Sequence, residues 1–107
     1  MTVPFVANVR SRPQVVRLGD PQAPAIAVRV EIPELWDVVR IDAPSTETVL
    51  AVKVAALAAL MPGADQRHFV IKLRGFEVLD EHLSLTDAGA IDGSIFLLTY
   101  RRRRPVR

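Results

Sequence analysis

Two histidines, His68 and His82, are the natural first candidates for chemistry, because imidazole serves both as metal ligand and as proton shuttle. A metal site needs about three or four converging ligands, and neither histidine has a carboxylate or a second imidazole at ligand spacing. Both read as surface histidines. Asp80-Glu81 with Asp87 could form an acid–base set, but adjacent carboxylates in a loop are solvated, and nothing nearby raises one pKa selectively. Ser84, Thr86 and Ser94 lack a base to make a nucleophile of them. Gly75, Gly89 and Gly93 follow no phosphate-loop spacing and serve turns. The chain has no cysteine, which excludes disulfides, zinc fingers and thiol catalysis. The expectation is a protein without catalytic residue, metal or cofactor: not an enzyme.

What remains is suited to contact. Lys53 is the only charge on an apolar helical stretch, so its stem should be buried and its ammonium should reach an acidic side chain at the sheet edge. Modification of that lysine is the sharper alternative. Trp36 sits in a hairpin turn and either folds back on the residues before the first strand or anchors a partner, tryptophan being enriched at interface hot spots. Arg101, Arg102, Arg103 and Arg104 form a solvated tail, meet an acidic protein or the chain's own acidic face, or touch nucleic acid. That last use would be salt-sensitive and sequence-blind, since no aromatic side chains interleave the arginines. The net charge of +2 divides unevenly: +5 in residues 101–107, +2 in 1–24 and −5 in 25–100. An acidic body thus carries basic ends.

The elements follow from hydrophobic period. At 107 residues, half of them hydrophobic, the chain is one globular domain. No apolar run approaches the ~20 residues of a membrane span, and the start MTVPFVANVR lacks the pattern of a signal peptide. A cytoplasmic protein is the resulting expectation, and richness in Ala, Val and Arg points to a GC-rich bacterial source. Residues 1–24, with Pro4, Pro13, Pro21 and Pro24, show no period and read as a flexible or extended leader. Strands are expected over 25–32, 38–42, 69–73, 77–79 and 94–100, with one helix over 47–61 capped by the Ser45 and Thr46 hydroxyls. Residues 25–100 form the folded domain and 101–107 a basic tail. The core should hold Ile26, Val28, Val30, Ile41, Leu57, Phe69, Ile71, Leu85, Phe96 and Leu98. One helix crossing one mixed sheet makes an α+β domain, with the first and last strands parallel at its centre.

Pro44-Ser45 before the helix, Val52-Lys53 within it, Gly75 after the third strand and Leu85-Thr86-Asp87 lie where ubiquitin-like domains carry similar residues. Over residues 25–103 the chain resembles the ubiquitin superfamily, of β-grasp fold. From His68 to Leu98 it resembles the bacterial YukD-like proteins associated with type VII secretion, which also show the Leu-Thr-Asp-x-Gly and Asp-Gly elements. Two departures stand out. Ubiquitin and related sulfur carriers act through a slender C-terminal Gly-Gly, whereas this chain reads Arg103-Arg104-Pro105-Val106-Arg107. The resemblance also implies a small aliphatic patch on the exposed sheet face, where this chain has Lys72 in the third strand and Leu97 and Thr99 in the last. It implies a non-enzymatic interaction module or adaptor, the alternative being a modifier made as a precursor and trimmed within a bacterial conjugation system. Alternation with core residues places Val70, Lys72, Arg74, Leu97 and Thr99 on the docking face. Arg101–Arg104 extend that face, and Trp36 is an outlying anchor. A protein with acidic residues around an apolar centre fits it, with conjugation or secretion machinery as the implied source and nucleic acid the weakest partner.

Overall fold

The computed structural model describes residues 15–101. The sheet contains β1 (Val15–Arg17), β2 (Ile26–Ile32), β3 (Asp37–Ala43), β4 (Phe69–Leu73), β5 (Phe76–Glu77) and β6 (Ile95–Tyr100). Their order across it is β1-β3-β2-β6-β4-β5. β2 and β3 form an antiparallel hairpin, while β2 and β6 run parallel with Val30 opposite Phe96. A parallel pair needs a crossover, and helix α1 (Val49–Leu60) supplies it. This is the α+β architecture expected from the sequence.

Strand alternation sends Val28, Val30, Ile32, Val39, Ile41, Ile71, Phe96 and Leu98 under α1, where all are buried. Val49, Val52, Ala56 and Leu57 of α1 meet them, and Leu85 closes the core. Burial of each large side chain there is worth about 1.5–3 kcal/mol. Phe69 and Tyr100, paired across β4 and β6, stack with ring centroids 4.7 Å apart. Of the expected core only Ile26 is partly exposed, because it starts its strand at the rim.

Helix starts leave backbone N–H groups without helical partners, and this chain satisfies them across two elements. Val49 N–H donates to the Leu83 carbonyl and Leu50 N–H to that of Glu81. Leu85 and Thr86, opening the one-turn helix α2 (Leu85–Ala88), donate in return to Glu47 and Ser45. Lys53 lies 1% exposed, and its Nζ donates to both carboxylate oxygens of Glu81, at 3.1 and 2.9 Å. The lone lysine is thus a buried strut between helix and edge loop, as its isolation suggested.

Three details differ from expectation. Val15–Arg17, assigned to the leader, pairs in parallel with β3, so the folded part begins by residue 15 rather than 25. Three residues are too short for a period to show, and the free edge of β3 supplies the hydrogen bonds. Residues 1–14 of that leader lie outside the described residues. The helix cap is Thr48, whose Oγ1 accepts from Ala51 N–H, while Ser45 and Thr46 form the preceding turn. The fourth strand covers Phe76–Glu77 instead of 77–79, since the Arg74-Gly75 turn brings pairing forward.

Removing one member of a buried ion pair strands the other, at about 3–5 kcal/mol. Glu81→Ala should therefore destabilise by that order in chemical denaturation, and Lys53→Met with Glu81→Leu should recover most of it. A Glu81→Ala cost below about 0.5 kcal/mol would show that the pair holds nothing.

Candidate protein-docking face

The sheet face turned away from α1 carries the opposite parity of every strand. From the cross-strand register, one row reads Val38, Glu31, Leu97, Lys72 and Glu77. A second reads Val15, Arg40, Arg29 and Ile95, and a third pairs Val70 with Thr99. Ile95 and Val38 are 46% and 39% exposed, Leu97 and Thr99 are half-buried, and Val70 is nearly covered. The aliphatic side chains of this face are Leu97 and Ile95, neighbours on β6, and Val38, which Glu31 separates from Leu97; the cations Arg29 and Lys72 stand beside them, with Glu77 next to Lys72. Arg40 is engaged by Asp42 through Nε at 2.8 Å. Neither Arg29 nor Lys72 has a side-chain hydrogen-bond partner among the described residues, which leaves two cations free beside apolar surface.

Val70, Lys72, Leu97 and Thr99 therefore share one face, as alternation required. Arg74 does not join them. β4 ends at Leu73, and Arg74 takes a left-handed conformation (φ 53) with its guanidinium donating to the Gly89 carbonyl at 3.2 Å. Trp36 stands apart at the hairpin tip, 95% exposed. Arg101 folds along β4, donating to the Arg67 and Phe69 carbonyls and lying 3.9 Å from Glu77. Arg102, Arg103 and Arg104 lie outside the described residues. Val38 and Ile95 lie on the same face, as alternation within their own strands marks them.

Apart from Glu81, which holds Lys53, several residues first weighed for chemistry serve turns. Asp80 accepts the His82 N–H, Ser84 Oγ accepts that of Asp87 and caps α2, and Ser94 Oγ accepts that of Ile91. Thr86 Oγ1 donates to the Ser45 carbonyl. Gly89 ends α2 in the left-handed region (φ 95), which a side chain resists. Among the described residues no three His, Asp or Glu side chains converge as a metal site, and no helix is long and apolar enough to cross a membrane.

Solved structures share this topology. The ubiquitin-like domain of an Arabidopsis thaliana protein superposes with TM-score 0.63 at 17% identity, covering 83% of this chain and 90% of that one. Ubiquitin of Caldiarchaeum subterraneum gives 0.62 at 18%, covering 76% and 99%. The C-terminal ubiquitin-like domain of mouse tubulin-specific chaperone e gives 0.64 at 12%, covering 82% and 98%. The chain has the ubiquitin-like fold. No family model matches it, and no curated protein matches it in sequence. These identities establish the fold alone.

On this ubiquitin-like frame, the turn before β4 carries the clearest electrostatic perturbation. Arg67 hydrogen-bonds Asp65 through its side chain (2.8 and 3.1 Å) and its backbone N–H (2.9 Å), holding the carboxyl well below the ordinary carboxylate range. Hydrogen bonding to Asp65 and Asp42 respectively raises Arg67 and Arg40 further. A depressed folded pKa gives a contribution that is present above the unfolded value, about 3.9 for Asp, and lost as pH falls through the folded one. NMR titration should find Asp65 ionised well into acid, and Arg67→Ala should bring it most of the way back. The stability difference between the two proteins should narrow as the pH drops below the ordinary carboxylate range. An Asp65 titration unmoved by Arg67→Ala would show the pair is absent in solution.

Proposed function

We propose that this chain is a non-enzymatic interaction module or adaptor that docks an acidic protein on its open sheet face. The observation that carries this is the aliphatic pair Leu97 and Ile95, with Arg29 opposite Ile95 and Lys72 opposite Leu97 and neither cation in a described ion pair. Unpaired cations next to exposed aliphatic surface give a partner both steering and affinity: charge sets the rate and orientation of encounter, apolar burial its duration. Ubiquitin-like domains commonly bind proteins, which agrees with this use. The sequence resemblance to YukD-like proteins makes bacterial secretion machinery in the cytoplasm the preferred source of the partner. The alternative of a covalent modifier has less support, because Arg101 directly follows β6 and is tied to Arg67, Phe69 and Glu77.

Affinity capture from the source cells, read by mass spectrometry, tests the face. The wild-type chain should retain a protein that Arg29→Glu with Lys72→Glu loses, and Leu97→Ala should speed its dissociation. Val54→Arg, on the opposite side of the molecule, should retain it. Equal capture by the charge-reversed variant would exclude the open face as the docking site.

A further inference from the structure

The open sheet face suits a partner with acidic groups around an apolar centre, and the chain displays such a set of side chains itself. At the tip of the β2–β3 hairpin Trp36 is 95% exposed, more than any other large apolar side chain among the described residues. Its backbone is left-handed (φ 54), a conformation that bulky residues rarely adopt, and its N–H donates to the Pro33 carbonyl at 3.1 Å. The turn thus holds the indole in solvent. Glu34 lies in the same turn, and a cleft of about 390 Å³ beside the indole is lined by Glu31, Asp37 and Val38 with Ile32 and Pro33. Asp37 accepts the Val38 N–H at 2.9 Å. None of the carboxylates of Glu31, Glu34 and Asp37 is in an ion pair with a described residue.

The open face is the complement of this tip. Leu97 and Ile95 give it an apolar centre, and Lys72 and Arg29, opposite them in the register, are cations without an ion pair among the described residues. Glu31 stands opposite both Val38 and Leu97, so face and tip adjoin. A surface that carries both halves of a contact side by side is self-complementary. Under a two-fold axis, each chain's tip meets the other's face in one and the same arrangement. The whole chain bears only +2, so net repulsion between copies is small.

We infer that a second copy of this chain occupies the open face, as a two-fold dimer. Trp36 of one protomer lies on Leu97 and Ile95 of the partner subunit, and Glu31, Glu34 and Asp37 meet Arg29 and Lys72 of the partner subunit. The contact is made twice, and each time it takes an indole out of water. This inference rests on the proposed use of the open face for docking and adds a control to it. Another acidic protein reaches that face only by displacing the second copy.

Sedimentation velocity of the full chain over a wide concentration range tests the dimer. Wild type should pass from monomer to dimer as concentration rises. Emission from Trp36, the only tryptophan, should move to shorter wavelength along the same curve. Trp36→Asn, which suits a left-handed backbone, should raise the dissociation constant about tenfold or more. Arg29→Glu with Lys72→Glu should do the same, and both variants should keep the wild-type far-ultraviolet circular dichroism. High salt should weaken the wild-type dimer. Mixing the two variants should restore part of the association, because one intact tip then meets one intact face. A wild-type chain that stays monomeric throughout would overturn the inference, as would a dimer indifferent to Trp36→Asn or a mixture that regains nothing. A monomeric chain that still captured an acidic protein would remove the dimer and leave the proposed function standing; a dimer that captured none would do the reverse.

Discussion

The parallel pairing of β2 with β6 at the centre of the sheet is the constraint on which the rest depends. It joins the early strand to the last and requires α1 as crossover; its register decides which side chains enter the core. A slip of β6 by one residue would bury Ile95 and Leu97 and expose Phe96 and Leu98. The Asp92-Gly93-Ser94 corner prevents it. Asp92 accepts the Ala27 N–H at 2.8 Å, Gly93 N–H donates to the Ala27 carbonyl at 2.6 Å, and Ser94 accepts the Arg29 N–H at 2.9 Å. Gly93 holds φ 92 there, in the region that glycine enters without a side-chain clash.

With that register set, the fold sorts the charges. Glu81 holds Lys53, Asp65 holds Arg67, Asp42 holds Arg40, and Asp80 and Asp92 accept backbone N–H groups. Arg29 and Lys72 are left for contact on the open face, and Glu31, Glu34 and Asp37 gather at the hairpin tip. A body of net negative charge thus presents an open face where Arg29 and Lys72 stand beside Leu97 and Ile95, with Glu31 leading from that face to the acidic hairpin tip.

The long strands were legible because five to seven alternating residues define a face by themselves: Ile26–Ile32, Phe69–Leu73 and Ile95–Tyr100 needed no tertiary information. Val15–Arg17 did, since the edge of β3 makes it a strand. Three neighbouring hydroxyls could cap α1, and the cross-contacts with Leu83 and Glu81 select Thr48. Arg74 was misplaced because alternation was carried one residue past the end of β4. Val70, Lys72, Leu97 and Thr99 followed from parity, as Val38 and Ile95 do, whereas the way these strands adjoin required the order β3-β2-β6, which no single strand contains.

Amide hydrogen exchange followed by NMR tests the central pairing most directly. Amides bonded between β2 and β6 should open only with global unfolding and form the slowest-exchanging set, while those of the edge strands β1 and β5 exchange through smaller openings. Exchange of the β6 amides as fast as those of β1 would contradict the account, because β6 would then not be the centre of the sheet.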